Sequence, residues 1–258
     1  MEKILIAGAT GSTGKRVIEI LNNSQSFEPV AMVRKKEQQA VFEDMEVKSV
    51  LADLEQEDFS SVLKGIDKVI FAAGSGSKTG PDKTTAVDQN GAIKLIDAAK
   101  KAKIKKFIML SAMNADEPSK NDKIEHYLKA KAEADKHLRK SGLPYTIVRP
   151  GRLTDDLGMG KVKIAEKLDA PGEIPRDDVA FLLIMSLADP LVKNKTFEAV
   201  EGDEPIKLAM INFSGWFLSL RGSTKRINLL LWGFKTLFGE CRHVFELRVF
   251  KLKMNIEL

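Results

Sequence analysis

Lys3-Ile4-Leu5-Ile6-Ala7-Gly8-Ala9-Thr10-Gly11-Ser12-Thr13-Gly14 is the stretch that decides the fold. Lys3 to Ala7 reads as a buried strand. It runs straight into Gly8-x-x-Gly11-x-x-Gly14, and the residues after it carry Val17, Ile18, Ile20 and Leu21 at helical spacing. Glycines between a strand and a helix let the backbone turn tightly and come close to a pyrophosphate. The helix mouth then offers free N–H groups and a partial positive charge to phosphate oxygens. Glycine-rich turns are common, and a plain βα turn is the simpler alternative; the strand–turn–helix context is what makes the spacing specific. The stretch is not a Walker-type loop, because Gly14-Lys15 is followed by Arg16 rather than Ser or Thr.

Outward from this turn the chain alternates strand-like and helix-like segments. Strands are expected at Pro29–Val33, Lys48–Leu51, Lys68–Ala72, Phe107–Leu110, Tyr145–Val148 and Thr196–Val200. Helices are expected at Gly14–Asn22, Glu57–Leu63, Asp88–Lys101, Tyr127–Ser141 and Arg176–Ala188. Several strands are continuously apolar, as strands covered on both faces are. Together with the βαβ alternation this predicts an α/β fold, a Rossmann-type doubly wound parallel sheet in one domain over residues 1–210, with a small substrate lobe at about 151–207.

Residues 211–258 differ in kind. They hold both tryptophans, the single cysteine (Cys241) and eight of the seventeen aromatics, with no Asp and no Pro. Eight Lys/Arg against three Asp/Glu make this tail the source of the whole formal charge of +5; the body carries 33 residues of each sign. The basic balance therefore does not describe the body and gives no reason to expect nucleic-acid binding. Two readings of the tail stay open: an amphipathic extension that contacts a membrane surface or a protein partner, or read-through sequence with no evolved role. One cysteine excludes an intrachain disulfide, and neither a signal-peptide layout nor a membrane-length apolar run is visible, so a cytoplasmic protein is expected. His126, His137 and His243 lack ligand spacing, and no metal is expected.

NAD-binding versions of this turn place an acid at the end of the second strand to hold the ribose 2′-hydroxyl. Here that strand ends Met32-Val33-Arg34-Lys35-Lys36. Arg34 is placed to clamp a 2′-phosphate through charge-assisted bonds, which favours NADP(H) over NAD(H); a solvated basic loop is the plainer alternative. Further along, Ser111 follows the fifth strand directly, and Tyr127-x-x-x-Lys131 opens a helix. Residues four apart share a helix face, so the Lys131 ammonium can stabilise a Tyr127 phenolate. In that arrangement Ser111 hydrogen-bonds a substrate oxygen and Tyr127 exchanges the proton that accompanies hydride transfer. In so lysine-rich a chain an interfacial tyrosine beside a solvated lysine gives the same pattern.

With these motifs assembled, the sequence resembles the atypical, NAD(P)-binding branch of the short-chain dehydrogenase/reductase superfamily, the epimerase-like or NmrA-like proteins. The resemblance covers residues 1 to about 207. It rests on Gly8-x-x-Gly11-x-x-Gly14, Val33-Arg34, Ala52-Asp53-Leu54, Ala72-Ala73-Gly74, Val87-Asp88-Gln89-Asn90-Gly91, Tyr127-x-x-x-Lys131, Arg149-Pro150-Gly151 and Ile174-Pro175-Arg176-Asp177-Asp178-Val179-Ala180. It implies that Gly8, Thr10, Gly11, Ser12, Thr13 and Gly14 bind the cofactor phosphates, that Asp53 and Leu54 contact the adenine, that Ala72, Ala73 and Gly74 line the adenosine ribose, and that Pro150 and Gly151 border the nicotinamide. One departure stands out: Asp88 occupies the position where extended members carry an asparagine that supports a proton relay. Asp88 is thus a candidate member of the catalytic set with Ser111, Tyr127 and Lys131, but one that brings a charge. The short stretch after Gly151 favours a small-molecule reductase over a sugar-nucleotide epimerase. The expected activity is NADP(H)-dependent reduction of a small carbonyl or quinone-like substrate. The alternative is a non-catalytic NADP(H)-binding redox sensor or regulator.

Overall fold

The computed structural model describes residues 1–55, 58–76, 79–120, 124–188 and 190–214. The basic aromatic tail discussed above, with Cys241 and His243, lies outside the described residues from 215 onward.

A run of parallel strands forms the centre of the molecule. β1 (Glu2–Ala7) pairs on one side with β2 (Phe27–Val33), which pairs with β3 (Lys48–Leu51). On its other side β1 pairs with β4 (Lys68–Phe71), followed by β5 (Lys106–Leu110), β6 (Tyr145–Pro150) and β10 (Lys195–Glu201), all parallel. The edge beyond β10 is antiparallel, with β8 (Lys161–Ala165) and then β11 (Glu204–Pro205). β7 (Arg152–Thr154) and β9 (Glu173–Pro175) form a separate parallel pair. The order β3-β2-β1-β4-β5-β6 is that of a Rossmann fold, whose strand order reverses between β1 and β4.

Helices cover both faces. The strands direct alternate residues to opposite sides, as their period of two requires: Ile4, Ile6, Ile70, Ile108 and Val148 enter one core, and Leu5, Phe71, Phe107, Met109 and Ile147 the other. The first core is closed by α1 (Ser12–Asn22), α6 (Arg176–Ala188) and α7 (Ile206–Phe213). The second is closed by α4 (Ala92–Lys101) and α5 (Glu125–Ser141). α2 (Gln39–Glu43) is a short connector before β3, and α3 (Pro81–Thr84) begins the helical run that ends in α4. No helix among the described residues is long and apolar enough to cross a membrane.

Three local differences from expectation bear on the site. The helix expected at Glu57–Leu63 is a turn in its described part. The Asp58 carboxylate there accepts the Ser60 N–H, and a single helical bond links Leu63 N–H to Phe59 O at 3.1 Å, while Phe59, Val62 and Leu63 are buried. The helix expected from Asp88 starts earlier, and between α3 and α4 it widens into a π-helical turn over Thr85–Gly91. Such turns rotate side chains out of α register and often mark functional positions; this one carries Asp88. Finally, the Tyr127 helix begins two residues earlier than expected, at Glu125, and ends at Gly142 in the left-handed conformation (φ +82°).

Candidate active site

The cleft lies at the carboxyl ends of β1, β2, β4 and β5, where α/β sheets bind ligands. The first part, about 290 Å³, is walled by the glycine loop, Arg34, Asp53, Leu54 and Ala72–Gly74. The second, about 600 Å³, is walled by Ser12, Thr13, Asp88, Ser111, Tyr127 and Lys131. Gly11, Ala72, Ala73 and Gly74 belong to both, so the two parts form one continuous trough.

The loop itself is built for close approach. Gly8 has φ +88°, and a Cβ there would sit 2.6 Å from the backbone of Ala73. A Cβ on Gly14 would lie 2.1 Å from the Gly8 carbonyl oxygen, so the third glycine is needed to bring α1 against the loop rather than to touch a ligand. α1 begins without any side-chain cap and with no acid in its first turn, which leaves its N-terminal amides open to an anion. These features fit a dinucleotide diphosphate. Arg34 is exposed at the end of β2, over the first part of the trough, and its backbone N–H is fixed by the Gln38 side chain at 3.1 Å. Asp53 accepts the Glu55 N–H at 3.0 Å, which shapes the turn beneath the first part of the trough.

At the other end, three groups from two elements meet. The buried Lys131 ammonium of α5 lies 3.0 Å from Asp88 Oδ1 on the π turn. It also donates to the carbonyl oxygens of Leu110 at 3.3 Å and Ala73 at 3.4 Å. Asp88 Oδ2 accepts the Ser75 N–H at 2.8 Å. The charge that Asp88 introduces is thus matched by Lys131. The Lys131 ammonium also stands 5.6 Å from the centre of the Tyr127 ring, the helical i, i+4 arrangement that the spacing predicts. Burial works against the ammonium, but the attractions of the Tyr127 phenolate and the Asp88 carboxylate outweigh it and hold its pKa above the ordinary lysine value. Tyr127 behaves opposite to the sequence expectation of a lowered pKa: burial pushes the phenol up, and the pull of Lys131 only partly offsets it.

Ser111 lines the trough just past β5, yet its hydroxyl donates to Asp135 Oδ2 at 2.8 Å. The donor role toward a substrate oxygen expected of Ser111 therefore needs that bond to open; its free lone pairs make it an acceptor as it stands. Asp135 in turn accepts from Arg149 Nε at 2.9 Å, and the Arg149 guanidinium forks onto Asp116, at 2.8 Å for one of the two bonds. Burial raises the Asp135 carboxyl, with Arg149 and the Ser111 hydroxyl pulling it back. The sequence reading did not single out Asp135, and it named Arg149 only within a motif, with no role. The signals were present: Tyr127, Lys131 and Asp135 repeat every four residues on one helix face, and Arg149 is the one charged residue of its strand.

Pro150 and Gly151, expected at the nicotinamide, are not among the described residues that wall either part. They join β6 to its neighbours: Pro150 O accepts the Met113 N–H at 3.0 Å, and the Gly151 N–H donates to Ala199 O at 2.9 Å. A Cβ on Gly151 would lie 2.2 Å from the Gly172 carbonyl oxygen, so this glycine serves a tight backbone crossing. Conversely, Ile124, His126, Leu153 and Arg176 line the second part without having been expected there.

Comparisons with known proteins agree with this geometry. Residues 8–190 match the family model described as NAD(P)H-binding. The chain is 44% identical over 211 residues to an uncharacterized sugar epimerase, YhfK, of Bacillus subtilis, a match taking in 81% of this chain and 98% of the relative. A solved structure from Bacillus halodurans, under the provisional name NAD-dependent epimerase/dehydratase, superposes with a TM-score of 0.77 at 40% identity, covering 81% of this chain and 99% of that one. The oxidoreductase ylbE from Lactococcus lactis superposes with a TM-score of 0.71 at 32% identity, covering 81% and 95%. With the glycine loop, the strand order and the trough at the strand ends all in place, the chain belongs to the NAD(P)H-binding family of Rossmann-type proteins.

Proposed function

We propose that this protein is an NADP(H)-dependent oxidoreductase that reduces a small carbonyl or quinone-like acceptor. The observation that carries the reading is the meeting of Tyr127, Lys131 and Asp88 at the end of the trough away from Arg34, in continuity with the glycine loop. A bound reduced nicotinamide supplies a hydride. The chain's own groups then handle the proton: Tyr127 gives its phenolic hydrogen to the acceptor oxygen, Lys131 steadies the phenolate left behind, and Asp88 balances and orients Lys131. Ser111, at the end of β5, binds the acceptor oxygen once its hydroxyl turns away from Asp135. Relatives carry both epimerase and oxidoreductase names; an epimerase would return the hydride to its substrate and consume no cofactor. Net NADPH oxidation across a panel of aldehydes, ketones and quinones therefore tests the reading: sustained turnover on at least one is expected, and none on any would contradict it.

The NADP(H) preference rests on Arg34 and the absence of an acid at the end of β2. Each charge-assisted bond to a 2′-phosphate is worth about 1.5–3 kcal/mol, or roughly tenfold to a hundredfold in affinity. Arg34→Ala is expected to weaken NADPH by at least about tenfold and leave NADH unchanged, as read by cofactor fluorescence titration; equal effects on both would remove Arg34 from this role.

One observation favours a second reading, a redox sensor that binds NADP(H) without turnover: the Ser111 hydroxyl is already given to Asp135. That reading predicts tight binding, no oxidation anywhere in the panel, and partner capture that changes with the cofactor's redox state.

A further inference from the structure

We propose that Arg176 is an oxyanion-binding group at the open end of the trough, kept in reserve by Asp155 and released to a ligand's carboxylate or phosphate. The inference rests on the trough being the cofactor and acceptor site.

Arg176 is the first residue of α6 and lines the same part of the trough as Tyr127 and Lys131. Lys131 is committed to Asp88, so among the described residues walling this part Arg176 is the lysine or arginine whose partner lies outside the wall. That partner is Asp155, 3.0 Å away, and its side chain is 70% exposed against 23% for Arg176. Asp155 is also shared: Arg16 lies 3.4 Å from it but makes its shorter contact with Asp177 at 2.6 Å. One solvated carboxylate thus serves two guanidiniums. An ion pair this exposed is worth little, about 0–1 kcal/mol. Exchanging it for a ligand oxyanion conserves the charge pairing, and the planar guanidinium fork suits a carboxylate or phosphate well.

The loop geometry permits the exchange. The Gly158 N–H donates to Asp177 at 3.4 Å, and the Met159 and Gly160 N–H groups donate to Asp178 at 3.2 and 2.8 Å. The loop is therefore pinned from residue 158 onward, while Asp155 projects ahead of the pinned stretch. Ile124, Leu153 and the Tyr127 ring supply apolar wall nearby. The chemistry recognised is an oxyanion, carried either by an apolar acceptor or by the dinucleotide itself.

Two titrations on the full chain separate these sources. NADPH is titrated into wild type, Arg176→Gln and Asp155→Asn by fluorescence. Benzoate, an apolar carboxylate, is titrated calorimetrically into the same three proteins loaded with NADP⁺. Arg176→Gln is expected to weaken one of the two ligands by about tenfold or more, and Asp155→Asn to tighten the same one. An effect confined to benzoate assigns the oxyanion to the acceptor; an effect on NADPH assigns it to the cofactor. Both ligands binding both variants within about twofold of wild type overturns the proposal. Should Arg176→Gln fail to fold, Asp155→Asn alone decides, because its side chain is solvated and its replacement leaves the core untouched. These are binding measurements, so a lack of turnover across the acceptor panel would sink the reductase reading without deciding this one.

Discussion

Replacing Tyr127 with phenylalanine should lower kcat for NADPH-dependent reduction by about 10²- to 10⁴-fold, the usual contribution of a positioned acid, and leave NADPH affinity unchanged. The loss corresponds to about 3–5 kcal/mol of transition-state stabilisation. Phenylalanine keeps the ring against Lys131 and removes only the proton the acceptor oxygen needs. The direction of the phenol's shift adds a pH signature. Burial raises the Tyr127 pKa above that of a free phenol, so the protonated, proton-giving form persists across neutral and mildly alkaline pH. Reduction is then expected to stay level as pH rises from about 6 to 9, whereas alcohol oxidation, which needs the phenolate, gains with rising pH. Equal kcat in wild type and Tyr127→Phe on every accepted substrate would remove Tyr127 from the chemistry.

Arg149→Met should be the most damaging change to stability outside the apolar core, at about 3–5 kcal/mol, or roughly 6–20 °C in Tm for a domain of this size. Arg149 is almost wholly buried and compensates Asp135, which is wholly buried. With the guanidinium gone, the carboxylate keeps only the Ser111 hydroxyl and the charge of Arg139 among the partners that now lower its pKa. Burial then acts against much weaker opposition and raises Asp135 further above its unfolded value. A carboxyl whose folded pKa exceeds its unfolded one binds protons more readily when folded, so the variant's deficit should be largest at neutral pH and shrink toward pH 5. Asp135→Asn/Arg149→Met, which removes both charges, should melt above Arg149→Met alone. A melting temperature for Arg149→Met within a degree or two of wild type would show that the pair is not needed in the fold.

The same buried pair marks where sequence reading stops. The strand–turn–helix at Lys3–Asn22 was legible because glycine spacing, apolar run and helical period all agree there. Arg176–Ala188 was legible to the residue, its two acids sitting in the first turn of an apolar helix. β7 and β9 were not: three residues show no period, and their pairing depends on a backbone crossing at Gly151 and Gly172. β8 does alternate, with Val162 buried between the exposed Lys161 and Lys163, but its last two residues are both half-buried and blur the period. Within the site, the i, i+4 relation of Tyr127 and Lys131 follows from helix geometry alone. The rotamer of Ser111, which turns its proton toward Asp135, depends on a contact 24 residues away and on Arg149 behind it. The upward shift of Tyr127 likewise depends on how deeply the fold buries the ring.

The most direct test of the account is a paired titration of the wild-type protein with NADPH and NADH, followed by cofactor fluorescence at fixed ionic strength. A diphosphate held at the mouth of α1 with Arg34 over the 2′ position predicts saturable binding of both, with NADPH tighter by at least about tenfold. Equal affinity for the two, or NADH the tighter, would contradict it.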